Sequence, residues 1–407
     1  MNLKDLHAFC APGCDDVFRA LPLHIVYKIF KFLGPASLVQ ASMVCRNWYQ
    51  LTSANSLWQR LSLMPPWQLS PAESKEQLDR RMAADDVVDW KRVFRERYKL
   101  RRCWLNGQCH VRTFEGHTGG VSCVQFDSSR IVSGSHDKTI RVWNIKTNSP
   151  WSVMTLTGHS GEVRCLHLEG NRVASGSTDT TIKVWDLDIT PQWSSIGCKV
   201  TMTGHSDTVR CVQMRVGEDS VVSGSYDATI RLWCLKTGHC RKVLRGHADR
   251  VLCLFWDGDC LLSGSTDQTI KIWSVEHGIC TGTLSGHRDA VTSLSMSEGK
   301  KVISGSLDST IKIWDADVGL CLSTLDWMSS EGHTGVIRCL QADRWRIVSA
   351  SDDKTIKVWS HEESRDPQRL VTLRSHSDGV TCLRFSDFVI VSGSYDKTVK
   401  LWDFTVC

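Results

Sequence analysis

The chain has 407 residues, 41% of them hydrophobic and 23% charged, which is enough apolar mass for a sizeable core and for more than one domain. Gly 29 and Pro 9 exclude a collagen-like or broadly disordered chain, and no apolar run approaches the roughly 20 residues of a membrane helix. Lys+Arg 49 against Asp+Glu 44 leaves +5, compatible with acidic or phosphorylated partners but without the concentrated basic face of a nucleic-acid binder.

In chain order, Met1 to Asp16 has no basic segment followed by an apolar stretch, so a flexible terminus (1–16) and an intracellular protein, in cytoplasm and/or nucleus, are expected. His7, Cys10 and Cys14 lack a second ligand pair at zinc spacing and read as free thiols beside a histidine, with no metal and no cofactor. Over residues 17–62, Leu21, Ile25, Ile29 and Leu33 recur every four residues, with Pro22 near the helix start and Gly34-Pro35 at its end. A second helix carries Leu38, Ala41, Cys45, Trp48 and Leu51, and a third short one Leu57, Trp58 and Leu61. Three short helices bury little core, so this head should lean on a partner. Residues 63–108 read as a helical linker. Its stripe Trp90, Phe94, Tyr98 should pack inward and leave Lys91, Arg92, Arg95 and Arg97 solvated, rather than form a nucleic-acid arm.

From 109 to 407 the chain repeats. A His after Gly (after Ser once) recurs every 40 to 46 residues at His117, His159, His205, His247, His287, His333 and His376. An Asp follows 20 to 22 residues later, at Asp137, Asp179, Asp227, Asp267, Asp308, Asp353 and Asp396. Six residues on stands a Trp: Trp143, Trp185, Trp233, Trp273, Trp314, Trp359 and Trp402. Each unit holds a β-branched stretch before Ser-Gly-Ser, a tight Asp-x-Thr turn, an Ile-Arg-Val-Trp-like stretch and a further apolar segment. Four short strands per unit signal a propeller blade, so an all-β seven-bladed ring is expected behind a small all-α head. Cys109 to Phe114 reads as a stray outer strand that would complete the last blade and close the ring. Cys123, Cys165, Cys211, Cys253, Cys339 and Cys382 share one register and read as small buried thiols.

These residues carry two resemblances. The repeats, with literal Trp-Asp at Trp185, Trp314 and Trp402, resemble a seven-bladed WD-repeat propeller. The head, from Leu21-Pro22 through Val44-Cys45-Arg46-Asn47-Trp48 to Leu57-Trp58-Gln59-Arg60-Leu61, resembles an F-box. Together they are similar to the F-box/WD-repeat substrate receptors of Skp–cullin–F-box (SCF) ubiquitin ligases. The resemblance implies a non-catalytic receptor whose Leu21, Pro22, Ile25, Val44, Trp48 and Trp58 would dock on the Skp adaptor, with cullin and RING subunit reached through it. It implies a protein target on the propeller and no nucleic acid or membrane. Some relatives carry a dimerisation helix before the F-box, and the 16 or so residues here argue for a monomer.

Every repeat holds Ser, His and Asp, which invites a hydrolase reading, but catalysis needs one activated nucleophile beside an oxyanion site. Seven copies with a Trp read instead as a buried hydrogen-bonded tetrad, its role in the family being structural. Phosphate-loop, H-E-x-x-H, paired C-x-x-C and G-x-S-x-G motifs do not occur, nor does a RING-type cysteine array. Function then falls to the rim. Five residues after each His stand Ser122, Arg164, Arg210, Leu252, Thr292, Arg338 and Thr381. Before each Asp stand His136, Thr178, Tyr226, Thr266, Leu307, Asp352 and Tyr395. In phosphodegron-reading members of the family, arginines at the first position and a Tyr at the second hold the phosphorylated peptide, and Arg164, Arg210 and Tyr226 match, with Arg338 a further candidate. Where such pockets carry another Arg this chain has Thr178, which implies a pocket weaker or differently shaped. The competing possibility is that each Arg pairs with a carboxylate such as Glu162 or Asp207 and merely caps the channel, Arg250 and Arg288 being weaker candidates. Two other functions remain open beside the receptor: a non-degradative WD-repeat scaffold, and an enzyme using one Ser-His-Asp set.

Overall fold

The computed structural model describes residues 18, 21–65, 67–79, 88–147, 149–187, 197–258, 260–297, 301–326, 328, 331–361 and 367–406. The expectations for Met1–Asp16, Cys10 and Cys14 among them, lie outside the described residues. The chain divides into one unit ending at Leu105 and another running from Asn106 to Val406.

The first unit is helical: α1 (Leu23–Lys31), α2 (Pro35–Ser42), α3 (Arg46–Thr52), α4 (Asn55–Ser62), α5 (Pro71–Asp79) and α6 (Trp90–Asn106). The expected second helix is two. Cys45 is extended, and its thiol accepts the Trp48 amide, so it caps the start of α3 and ends the preceding turn. Val26, Phe30, Leu38, Leu51, Leu57, Trp58, Leu61 and Phe94 form the core of this unit. The four-residue stripe is also turned: Val26 and Phe30 face inward, while Ile29 is exposed. Arg97 is not solvated as expected. It is 2% exposed, donates to the Ser62 carbonyl at 2.7 Å and to Gln77 Oε1 at 2.9 Å, and so ties α6 to α4 and α5.

The second unit is seven antiparallel four-stranded sheets. Six contain consecutive strands. The seventh takes the first strand, His110–Phe114, onto the last, Val399–Asp403, in the register His110↔Asp403 to Phe114↔Val399. The join thus gives the seventh blade the same four strands as the other six. The middle strands are buried on both faces, so their burial is continuous rather than alternating. In Arg130–Ser135 every residue from Ile131 on is buried, while the outer strand Cys240–Arg245 buries Leu244 alone.

Each blade is pinned by the expected tetrad. The seven Trp Nε1–H groups donate to Ser133, Ser175, Ser223, Ser263, Ser304, Ser349 and Ser392 at 2.7–2.9 Å. Each serine in turn meets His Nε2 at 2.6–2.9 Å. His Nδ1–H donates to the Asp at 2.7–2.9 Å. The serine oxygens belong to residues with no exposed surface, so no substrate carbonyl can reach them. The arrangement supports a scaffold, not a nucleophile.

Burial works against the tetrad carboxylates' charge, yet bonds from Thr181, His159 and their equivalents outweigh it. Asp179 and Asp353 are held down to about 2. Burial also holds His159, His247 and His333 below the ordinary imidazole value despite their Asp partners. Both shifts have one sign, because the unfolded chain binds more protons than the folded one in acid. Their contribution should be full above pH ~6.5, fall as the histidines of the unfolded chain charge, and fall again below pH ~4. Urea-unfolding midpoints across pH 8 to 4 should decline on this schedule, and a midpoint that rises below pH 6 would refute it.

Candidate functional site

The innermost strand of every blade carries a bulge at one place. Register shifts occur between Val121 and Cys123, Val163 and Cys165, Val209 and Cys211, Val251 and Cys253, Val291 and Ser293, Ile337 and Cys339, and Val380 and Cys382. The extra residues are those of the expected rim set: Ser122, Arg164, Arg210, Leu252, Thr292, Arg338 and Thr381. Simple alternation does not place them. The extra residue bends the strand and re-aims one side chain, leaving both neighbours packed.

What fills the bulge decides its use. Where it is a hydroxyl, the side chain joins blades: Ser122 Oγ lies 3.1 Å from the Gly134 carbonyl and also reaches Val163 of the next blade. Thr292 meets Gly305 at 3.1 Å and Ile337 at 2.6 Å, and Thr381 meets Gly393 at 3.0 Å and Val121 at 2.5 Å across the closing join. An arginine makes no such staple and carries its charge into the mouth.

The three arginines differ. Arg164 Nη2 pairs with Glu162 at 2.6 Å, and its Nη1–H donates to His136 Nε2 at 3.0 Å. Burial and the Arg164 charge hold His136 below its ordinary value, so the ring accepts this bond as a neutral imidazole. Arg338 forms a two-pronged pair with Asp352, at 2.9 and 2.6 Å. Arg210 has no hydrogen-bond or ion-pair partner among the described residues, and the neighbouring Asp207 turns to the Thr208 amide at 2.6 Å. The Arg210 charge acts on His136 together with that of Arg164, and it also senses Tyr226. Arg338 in turn senses both Tyr226 and Tyr395. The candidates therefore converge on one mouth. Arg250, expected as a weaker candidate, lies with its guanidinium 4.9 Å over the Tyr226 ring.

The inner cysteines are free thiols, all buried except the half-buried Cys339. Burial pushes Cys123 up to about 11 and Cys253 up to about 12, which leaves them inert fillers.

On the head, Pro22 and Val44 are exposed, while Leu21 and Ile25 are half-buried. Trp48 is half-buried against Phe18 and Phe30, with ring centroids at 4.6 and 5.7 Å. Trp58 is a correction: it is 3% exposed, gives its indole N–H to the Thr52 carbonyl at 2.7 Å and packs on Phe94 at 5.3 Å. It belongs to the core because α6 supplies Phe94 from far along the chain. Phe32 at 89% exposure and Met43 at 73% were passed over, since each follows the last residue of a helix, although Phe32 lies in line with Ile25 and Ile29.

Seven segments, 108–144, 151–186, 196–234, 238–274, 278–315, 319–360 and 367–403, match the WD domain, G-beta repeat family, and residues 18–64 match the F-box-like family. The chain belongs to the F-box/WD-repeat family. It is 34% identical to the "Probable E3 ubiquitin ligase complex SCF subunit sconB" of Arthroderma otae, over 32% of this chain and 23% of that one. It is 28% identical to the protein of that name from Emericella nidulans, over 32% and 30%. It is 27% identical to an F-box protein of Saccharomyces cerevisiae, over 32% and 23%. The chain thus spans less than a third of these curated relatives' length.

The bulge hydroxyls should be worth measuring at the closing join. Thr381→Val keeps the shape and removes the donor to the Val121 and Gly393 carbonyls, so it should cost ~1–2 kcal/mol in urea unfolding. An unchanged midpoint would show that the staple contributes nothing.

Proposed function

We propose that the protein is a substrate receptor of an SCF-type ubiquitin ligase, with the head docking on a Skp adaptor and the mouth of the ring holding a phosphorylated target. The observation that carries the reading is the head's outer surface: Phe32, Met43 and Val44 stand exposed, Val44 at 62%, although the core beneath is closed. Apolar groups that the unit's own core does not need fit a partner's face. The names of the fungal relatives supply the class of complex. The receptor works by proximity, raising the effective concentration of a target lysine near a charged E2 enzyme.

At the mouth, Arg210 is the primary phosphate ligand. Phosphate offers the guanidinium fork the charge-assisted partner that the fold withholds. Arg164 and Arg338, already held by Glu162 and Asp352, stand pre-set as secondary contacts, and Tyr226 offers a hydroxyl beside them. Those two carboxylates make the pocket selective, since they repel a badly placed anion.

Two experiments test the reading. Phe32→Asp combined with Val44→Asp should leave the chain folded and remove Skp and cullin from its pulldown. Retention of both proteins by the double variant would sink the adaptor assignment. If the unaltered chain holds Skp and cullin but none of its bound proteins is ubiquitylated, the scaffold replaces the receptor. Secondly, the full chain should retain members of an immobilised phosphoserine/phosphothreonine peptide library over their unphosphorylated counterparts. Arg210→Glu should weaken that retention roughly tenfold or more. Equal binding of both peptide forms would defeat the phosphate assignment.

A further inference from the structure

The inner strands run from the mouth to the opposite end of the ring, where a cleft of 410 Å³ opens between the second, third and fourth blades. It is lined by His167 and Glu169 at the end of one strand, Gln213, Arg215 and Glu218 at the end of the next, and Trp256 at the end of the third.

Most of these polar side chains spend one atom on the fold and keep another in hand. His167 Nδ1 accepts the Met214 amide at 3.3 Å, and Glu169 Oε2 accepts the Val216 amide at 2.7 Å. Gln213 Nε2–H donates to the Leu254 carbonyl at 3.2 Å, but its Oε1 is buried and has no partner. An orphaned amide oxygen in a cavity wall is costly unless something supplies a donor. The cation of the lining is already spoken for. Arg215 pairs with Glu218 at 2.7 Å, lies 5.3 Å over the Trp256 ring and packs against Gly258, where a Cβ would meet Nη1 at 2.6 Å. Burial, reinforced by the charge of Arg384 from the seventh blade, pushes His167 down to about 4, so it adds no charge at neutral pH. The lining itself holds two carboxylates and one guanidinium, with Arg384 a second cation felt at His167, and it keeps acceptor oxygens on Glu169, Glu218 and Gln213.

We propose that this cleft is a second binding site, at the end of the ring opposite the phosphate mouth, which takes an arginine side chain of a partner protein. A guanidinium presents five N–H donors in a rigid plane, which can meet separate acceptors at once. An ammonium is a compact, strongly hydrated point charge that loses more water for the same contacts. A carboxylate or phosphate would face Glu169 and Glu218, and an apolar side chain would leave Gln213 Oε1 unpaired.

The test uses the full chain with Nα-acetyl-arginine N-methylamide as the probe, read by saturation-transfer difference NMR, with the citrulline analogue as its uncharged match. The arginine probe should give transfer at least fivefold above citrulline. Glu169→Gln keeps an oxygen for the Val216 amide while removing the charge, and should cut that transfer at least threefold. Gln213→Met, which removes the orphaned acceptor at similar volume, should do the same, whereas Glu115→Gln, at an exposed carboxylate outside both sites, should change nothing. Equal transfer for arginine and citrulline, or transfer that survives both cleft variants, overturns the proposal. Thermal unfolding of each variant separates loss of fold from loss of the site: if one cleft variant is unfolded, the other decides.

Discussion

Seven indole N–H groups lie deep inside a β-structure whose own ladders have no spare acceptors for them. Each must be paired or the blade loses the desolvation cost of a buried donor. The serine hydroxyl settles this by accepting from the indole and giving its own proton to the histidine, which passes the demand on to a carboxylate at the surface turn. That relay couples core to rim. The same Asp137 carboxylate receives the Thr139 amide and hydroxyl at 3.0 and 2.6 Å, and so holds Lys138 in the left-handed region at φ 68. Every blade repeats the device at this place with a non-glycine residue, at an intrinsic cost of about 1 kcal/mol each. Loops held so firmly present their side chains at fixed positions.

The repeat was plain in the sequence because its markers are chemically obligatory: a Trp needs its Ser, and the His its Asp, at distances that a four-stranded sheet dictates. The bulges were not legible. A buried Val, a variable residue and a buried Cys look the same in straight alternation as in a bulged strand, so alternation set the rim arginines beside the mouth without disclosing the bulge that carries them. The left-handed turns were hidden as well, since Lys138, Thr180 and Ala228 are not residues that announce positive φ. In the head, a thiol serving as helix cap at Cys45 and a buried guanidinium at Arg97 both run against composition. Arg97 is satisfied by groups 20 and 35 residues away, which no local pattern contains.

The mouth combines two electrostatic conditions. Arg164 and Arg338 are neutralised where they stand, which fixes their forks and lowers the ordering cost of any later contact. Arg210 keeps its full charge amid desolvating walls. If the mouth takes a phosphate as proposed, such a site would favour a correctly placed charge over one that is merely negative, because a misplaced anion meets Glu162 or Asp352 first.

The ring is clasped by residues far apart in the chain: Lys400 Nζ reaches Thr113 Oγ1 at 3.1 Å over 287 residues. A ribosome adds roughly 5–20 residues per second, so the strand that opens the ring waits on the order of 15–60 s for its mate to be made. Throughout that interval the nascent chain carries an unmated edge and an uncovered flank of the first blade, the conditions under which strands find foreign partners. The ring can therefore close only once Val399–Asp403, the last strand, has been made.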